Sequence, residues 1–342
     1  MLLALLAAVG CAPRQTARRA PAPPQPYMRV HRAPDSTLAL QVAVRELAPP
    51  RKTWPALLLV GVTHLGETNY YQALQERLDR CDLVLYEGIG DAPRQASLHP
   101  ENREQASLQV RMAHALGLVF QLEAIRYDRP HFKNSDLTSE QFLDVWRGER
   151  LKRPSTCVPP PLPLKLAAAV DAGDDALSEG MDQLLGIMEG TSFMGVLAHT
   201  MVQFIAASPR LQATVKVVLI ETMGAIKGDL SESLSVPEEW QAVLQFLIRE
   251  RNHIVLQDVR RLLAEPRPPR QVAIFYGAGH MHDLEQRLRA ELGYRPAREE
   301  WLTAFSINPR AAGITELELN WVRSLIEWQI RPRQQDSPGQ QQ

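Results

Sequence analysis

The sequence predicts an α/β protein built on a mostly parallel sheet with flanking helices, and three observations carry that reading. Two segments, Leu57-Leu-Leu-Val-Gly-Val-Thr-His64 and Val272-Ala-Ile-Phe-Tyr-Gly-Ala-Gly-His280, write one device twice: an apolar, β-branched or aromatic run followed by G-x-x-H. Such a run is what a strand buried on both faces looks like, as parallel strands are. The second observation is a helix between two strands. An amphipathic stretch beginning at Thr68 and reaching Arg80 separates the first run from Asp82-Leu-Val-Leu-Tyr-Glu87-Gly88, which makes a βαβ unit. The third is composition: 342 residues with 45% hydrophobic and 23% charged content can bury one large core or two closely joined halves.

Taken from the amino terminus, Met1-Leu-Leu-Ala-Leu-Leu-Ala-Ala-Val-Gly-Cys11 is a short apolar run ending in Ala-Val-Gly-Cys. It is too short to span a bilayer as a mature helix. It resembles the lipobox of bacterial lipoproteins, which implies lipid on Cys11 and a place in the cell envelope, anchored outside the cytoplasmic membrane. The run lacks the usual Lys or Arg before it, so either the true start lies upstream or the signal is atypical. Residues 12–30, with Arg14, Arg18, Arg19 and five prolines before Tyr27, are then a tether, followed by a domain over 31–330 and a polar tail over 331–342. In that compartment a disulfide between Cys81 and Cys157 is permitted, and nothing else indicates one.

The middle of the chain, about 135–265, reads as a largely helical insertion. Leu137-Thr-Ser-Glu-Gln-Phe142 is a helix start in which Thr138 caps, Gln141 reaches back and Leu137 staples onto Phe142. Pro159-Pro-Pro-Leu-Pro163 is a stiff connector, and Leu164 to Val170, Met181 to Met188 and Phe193 to Ile220 continue the helices. They suit a lid or wall over the sheet edge. Ser235-Val-Pro-Glu238 is a capping box that opens a long helix to Leu263, ahead of the breaker Pro266. On it Leu244, Leu247, Ile248, Val255, Val259 and Leu262 share one stripe. Arg251 falls near the centre of that stripe and Asn252 at its flank, whereas Glu250, His253 and Arg249 point away toward solvent. A guanidinium is rarely buried unpaired, so Arg251 meets Glu87 or Asp258, or a substrate carbonyl or carboxylate. Asp283 to Leu292 is an amphipathic helix with His282 in its first turn, either behind a site or at the surface. Trp301 to Ile307 reads as a last strand and Leu317 to Ile330 as a last helix.

Ligands of open α/β sheets bind beyond the carboxyl ends of the strands. Two strand-end histidines more than two hundred positions apart therefore point to one site assembled by the fold. If the strand of Glu87 neighbours that of His64, the carboxylate joins them. His64, Glu87 and His280 are a donor set used by hydrolytic metal centres, which keep one position open for water. Gly61, Gly277 and Gly279 read as turn glycines, placed where a Cβ would clash. Tyr276 and Tyr86 stand one strand step from a motif; packing suits both, and Tyr276 is also placed to support His280 from behind. His114, His131 and His199 have no partners at ligand spacing. The chain has no G-x-S-x-G elbow, P-loop, dinucleotide fingerprint or paired C-x-x-C. A formal net charge of −1 without long runs of like charge excludes electrostatic capture of nucleic acid.

Together the Gly61-Val-Thr-His64 strand, the Asp82-Leu-Val-Leu-Tyr-Glu87 strand, the Glu250-Arg251-Asn252 triplet on a long helix and the Tyr276-Gly-Ala-Gly-His280 strand resemble the TraB/PrgY/GumN family, to which the TIKI metalloproteases are related. The resemblance runs from about Trp54 to about Phe305 and holds in the order and relative spacing of all four motifs. It implies two related G-x-x-H halves and a site containing both histidines and Glu87. For the TIKI branch it implies a divalent metal, manganese or cobalt with zinc a further candidate, and peptide hydrolysis. On that reading His64, Glu87 and His280 hold the metal, Arg251 stabilises charge on the attacked carbonyl and Asn252 orients a peptide or small-molecule substrate. A metal-free version uses Glu87 or a histidine as general base. The competing class is a binding protein that sequesters a peptide or haem through the same residues.

Overall fold

The structure, a computed structural model, describes residues 23–88, 108–138, 141, 201–228 and 238–330. Its strands are β1 (Met28–Arg32), β2 (Leu38–Ala48), β3 (Ala56–Val62), β4 (Leu65–Gly66), β5 (Leu83–Tyr86), β6 (Val119–Phe120), β7 (Phe132–Asn134), β8 (Gln271–Gly277) and β9 (Arg295–Ile307). Its helices are α1 (Thr68–Leu78), α2 (Leu108–Ala115), α3 (Gln121–Ala124), α4 (Pro209–Ala225), α5 (Glu238–Leu263), α6 (Ala278–Leu292) and α7 (Glu316–Ile330).

The α/β class expected from the sequence is the class observed. Strands β3, β8, β5 and β7 lie side by side in that order, all parallel. An antiparallel extension adjoins them: β9 pairs along the whole length of β2, so β1 and β3 share its other edge, against Leu38–Val42 and Val44–Leu47 respectively. The short strands β4 and β6 form a separate antiparallel pair. One expectation is corrected here, because β3 and β5 are not neighbours. Strand β8 lies between them, and its run from Val272 to Gly277 is buried at every position. A strand that apolar is most stable where both faces and both edges are covered.

Helices pack on both faces of the sheet. Alternate residues of β8 show it directly: Ala273 and Phe275 enter a core with Tyr71 and Leu74 of α1, Val217 and Ile220 of α4 and Val322 and Ile326 of α7. Val272, Ile274 and Tyr276 enter the opposite core, with Val255, Leu256 and Val259 of α5 and Met281, Leu284 and Leu288 of α6. That is the period of two of a strand sandwiched between helical layers. Each Val, Leu, Ile, Phe or Met among them stabilises the fold by roughly 1.5–3 kcal/mol when fully buried.

Several boundaries move. The expected tether over 12–30 reaches no further than the prolines, because Tyr27 is 3% exposed and donates its hydroxyl to Glu285 Oε2 at 2.7 Å. Arg45, itself buried, donates to the carbonyls of Gln25 and Pro26 at 2.7 Å each, which clips this stretch to β2. Helix α6 begins at Ala278 rather than Asp283, with Gly277 as its N-cap, so β8 runs into it without a loop. Strand β9 begins at Arg295, well before Trp301, along the antiparallel edge of β2. The reciprocal capping bonds expected at Thr138 are present, Thr138 N donating to Gln141 Oε1 and Gln141 N to Thr138 Oγ1, while Phe142 lies outside the described residues. Pro209 breaks the stretch to Ile220, and Ser208 caps the helix that follows. Cys81 is a buried free thiol. Among the described residues no helix is long and apolar enough to cross a membrane. Cys11, Cys157, Pro159 to Pro163, the helices expected over 164–188, His199, Ser235 and the tail after 330 lie outside the described residues.

Candidate active site at the carboxyl ends of the parallel strands

The centre of β8 and β5 is apolar, and chemistry begins where the strands stop. Glu87 follows β5 and its backbone N–H still donates to Phe275 O on β8, at 3.0 Å. Its carboxylate turns across the end of β8 and accepts the N–H of Gly277 through Oε2 at 2.5 Å. A Cβ on Gly277 would stand 3.2 Å from that oxygen. Glycine is thus required here for close approach of a carboxylate, not for a turn. Gly61 has a similar reason elsewhere, since a Cβ there would stand 3.3 Å from Val42 Cγ1 on β2. Neither of these glycines has positive φ, so their expected role as turn glycines is corrected to one of space; Gly279, the second residue of α6, has no positive φ either.

The long helix α5 delivers Arg251 to the same place. Its Nη2 donates to Glu87 Oε1 at 2.6 Å, and Nε and Nη2 grip Asp136 Oδ1 and Oδ2 at 2.9 and 2.7 Å. Asp136 lies just past the end of β7, its side chain is 0% exposed, and it also accepts the N–H of Gly88 and Leu137. Of the partners foreseen for Arg251, Glu87 is correct and Asp258 is not; Asp258 pairs with Arg261 and Ser135. The planar two-toothed grip on Asp136 is one that lysine cannot reproduce. Glu250, expected in solvent, is 8% exposed, while Arg249 is exposed as anticipated.

His280 sits in the first turn of α6, 7% exposed, with Nε2 3.7 Å from Glu87 Oε1 and 3.4 Å from Arg251 Nη1. Its Nδ1 faces Asn252 Oδ1 at 2.8 Å, and Asn252 Nδ2 donates to Asp283 Oδ2 at 2.8 Å. Asn252 is 0% exposed with both ends of its amide engaged. It therefore holds His280 rather than a substrate, a correction to its expected role. Tyr276 stacks edge-on against His280 with ring centroids 5.5 Å apart and donates its hydroxyl to Ser135 O. The packing role anticipated for Tyr276 is thus observed, against His280. His282 is half-buried and forms no hydrogen bond with His64, Glu87, Arg251 or His280 among the described residues.

His64 arrives by a different route. It follows β3 by two residues and is exposed. Its Nδ1 faces Gln121 Oε1 at 2.9 Å, while Gln121 N donates to His64 O at 2.9 Å. The pairing of Leu65 with Phe120 in the β4 and β6 ribbon places Gln121 there. His114 and His131 are elsewhere, against Glu123 and Leu78 O.

Electrostatics follows from this packing. Burial acts to raise the Glu87 pKa, but His280, Arg251, the Gly277 N–H and His64 outweigh it and hold the carboxyl at about 2. Burial, reinforced by Arg251 and opposed by Glu87, Asp136 and Asp283, lowers the pKa of His280, which is neutral at pH 7. Arg251 is shifted upward by Asp136 and Glu87 against its burial and stays charged. Two carboxylates thus face one guanidinium, which leaves a buried excess of negative charge of the kind a cation offsets. An ionised carboxylate and two imidazoles fit a divalent ion chemically. In the geometry described, Arg251 stands between Glu87 and His280, and among the described residues no three His, Cys, Asp or Glu side chains are grouped to hold one.

Sequence reasoning missed Asp136, Gln121 and Asp283. Asp136 had a signal, since Phe132-Lys-Asn-Ser-Asp136 is a short strand ending in a carboxylate, like the one ending at Glu87. Gln121 had none. Compared with known proteins, the chain matches no family model, no curated sequence and no solved structure.

Proposed function

We propose that the chain is a metal-dependent hydrolase of peptide-like bonds, related to the TraB/GumN type and held at the outer side of the bacterial cytoplasmic membrane by lipid on Cys11. The observation that carries the reading is the meeting of an ionised Glu87, a neutral His280 and the fixed cation Arg251 beyond the ends of parallel strands. His64, Glu87 and His280 would hold the ion, manganese or cobalt. When bound, a divalent metal supplies Lewis-acid polarisation of a carbonyl and lowers the pKa of its water toward neutrality.

The chain's own residues supply the rest. Glu87 carries its negative charge across the physiological range and, with its pKa held at about 2, serves as a fixed anion that faces a cation. Arg251, anchored by its two bonds to Asp136, presents a permanent positive charge to an oxyanion forming nearby. In a metal-free version, where the Nε2 lone pair is not given to an ion, His280, neutral and buried, would take the proton of an attacking water at Nε2 and return it to a departing amine. His64, which is exposed, would meet substrate arriving from solvent.

Elemental analysis of protein purified without a metal-affinity tag, paired with cleavage of a broad peptide library, tests the proposal. Bound divalent metal, activity lost on chelation and activity restored by manganese or cobalt are the expected results. A metal-free protein that cleaves nothing yet retains peptide or haem would overturn it and leave a sequestering protein.

A further inference from the structure

We infer that Gln121 and Asn252 are a matched pair of positioning residues that hold His64 and His280 in the tautomer protonated at Nδ1, so that each ring offers the lone pair of Nε2. The inference rests on the reading of both histidines as site groups, and adds how they are held ready. A neutral imidazole has two tautomers, and the hydrogen bond made by one nitrogen decides what the other can do.

On the His280 side the assignment is forced from two directions. Asn252 Nδ2 donates to Asp283 Oδ2 at 2.8 Å and to the His280 carbonyl at 3.3 Å. A carboxylate and a carbonyl only accept, so the end of the amide aimed at them is the NH2. Asn252 Oδ1 is therefore what faces His280 Nδ1 at 2.8 Å, and an acceptor there requires a proton on the ring nitrogen. Independently, Arg251 Nη1 can only donate, and it lies 3.4 Å from Nε2, so Nε2 is the acceptor.

On the His64 side Gln121 Nε2 donates to the Tyr127 hydroxyl at 2.7 Å and Oε1 faces His64 Nδ1 at 2.9 Å. A hydroxyl can donate as well as accept, so here the tautomer follows from this amide orientation and the Gln121 variants below are its direct test. The backbone N–H of Gln121 holds the His64 carbonyl at 2.9 Å, so one residue grips the histidine at both backbone and ring. Gln121 is 4% exposed and Asn252 is 0% exposed, which removes both from direct contact with a substrate in the mouth of the site. An amide suits this task better than a carboxylate would: it accepts the Nδ1 proton without adding negative charge that would favour imidazolium.

Nitrogen-detected NMR on the full chain, labelled with 15N-histidine, treated with chelator and assigned through His64→Ala and His280→Ala, tests the inference. At a pH where the rings are neutral, both are expected to show a protonated Nδ1 and a bare Nε2. Gln121→Leu should return His64 to a mixture of tautomers and leave His280 unchanged, whereas Gln121→Glu, which keeps an acceptor, should keep the tautomer. Manganese affinity should fall about 10–100-fold in Gln121→Leu and be retained in Gln121→Glu. On the other side Asn252→Leu should return His280 to a mixture of tautomers and leave His64 unchanged; should it fail to fold, Asp283→Ala, which removes the carboxylate that orients the Asn252 amide, should loosen the His280 tautomer in the same way and keeps the test open. A protonated Nε2 on either wild-type ring, or a His64 tautomer indifferent to Gln121→Leu, would overturn the inference. The tautomer readout needs neither metal nor substrate, so its failure is distinguishable from failure of the hydrolase reading.

Discussion

His64 and His280 end the same four-residue device, yet one is exposed at a rim and the other is 7% exposed beneath a helix. Their strands are parallel neighbours in register, Gly61 opposite Tyr276, so the sheet brings both to one edge. What differs is the cover. His280 enters α6 at once and is packed against Tyr276, Asn252 and Arg251, whereas His64 leaves β3 into a loop held by the small β4 and β6 ribbon. A G-x-x-H motif therefore fixes where a histidine stands, and the elements packed around it fix its charge state. The buried side is built to hold charge, and the rim to meet solvent.

The largest test of that contrast is the carboxylate behind Arg251. Asp136→Ala leaves a buried guanidinium with only its contact to Glu87, and is expected to lower unfolding free energy by about 3–5 kcal/mol in denaturant titration. Asp128→Ala, which removes the exposed pair with Arg126, should cost no measurable stability. Equal effects would show that burial does not separate the two regions as described.

Acid comes next. Glu87 has its folded pKa depressed from 4.5 to about 2, so its contribution is present above pH 4.5 and is lost as pH falls through that window toward 2. The shift corresponds to about 3 kcal/mol. The His280 pKa is also lowered in the fold, so the unfolded chain binds its proton first and stability declines as pH falls through 6.5. The wild type should therefore weaken in two stages on acidification, and Glu87→Gln should flatten the lower one. A Glu87→Gln protein with an unchanged acid profile would contradict the charge assignment.

The smallest effects concern the histidines themselves. His280→Ala leaves Asn252 Oδ1 buried without its partner and should cost about 1–3 kcal/mol. His64→Ala should cost within about 0.5 kcal/mol, as exposed substitutions do. Thermal unfolding of the two variants side by side checks the order, and a reversal would mean that the rim bears the structure.

How much of this was legible in sequence follows the same divide. Strands β3, β5 and β8 announced themselves because both of their faces are buried, which writes an unbroken apolar run. Strand β2 did not, since Arg45 and Glu46 interrupt Leu38 to Ala48; the charge of buried Arg45 is met by Glu285 and Glu299, both far along the chain. The polar half of β9 was hidden for a similar reason, its residues from Arg295 to Glu299 being exposed although they pair with β2. In the site, His64, Glu87, Arg251 and His280 could be named because strand ends and helix stripes are local patterns. The order of β3, β8 and β5 could not, because a βαβ unit sets handedness and direction but leaves room for a later strand to insert. Gln121 and Asp283 act through hydrogen bonds across the fold, which leave no periodic trace.

The central claim is that the two histidines and Glu87 act as one centre, and calorimetric titration of manganese into the full chain and its alanine variants tests it most directly. Wild type should bind one ion, His64→Ala and His280→Ala should each weaken binding at least about tenfold, and the double variant should be little worse than either, because residues that act as a unit are strongly non-additive. If His64→Ala binds manganese as the wild type does, or if the two losses simply add, the histidines do not share a centre and the account is wrong.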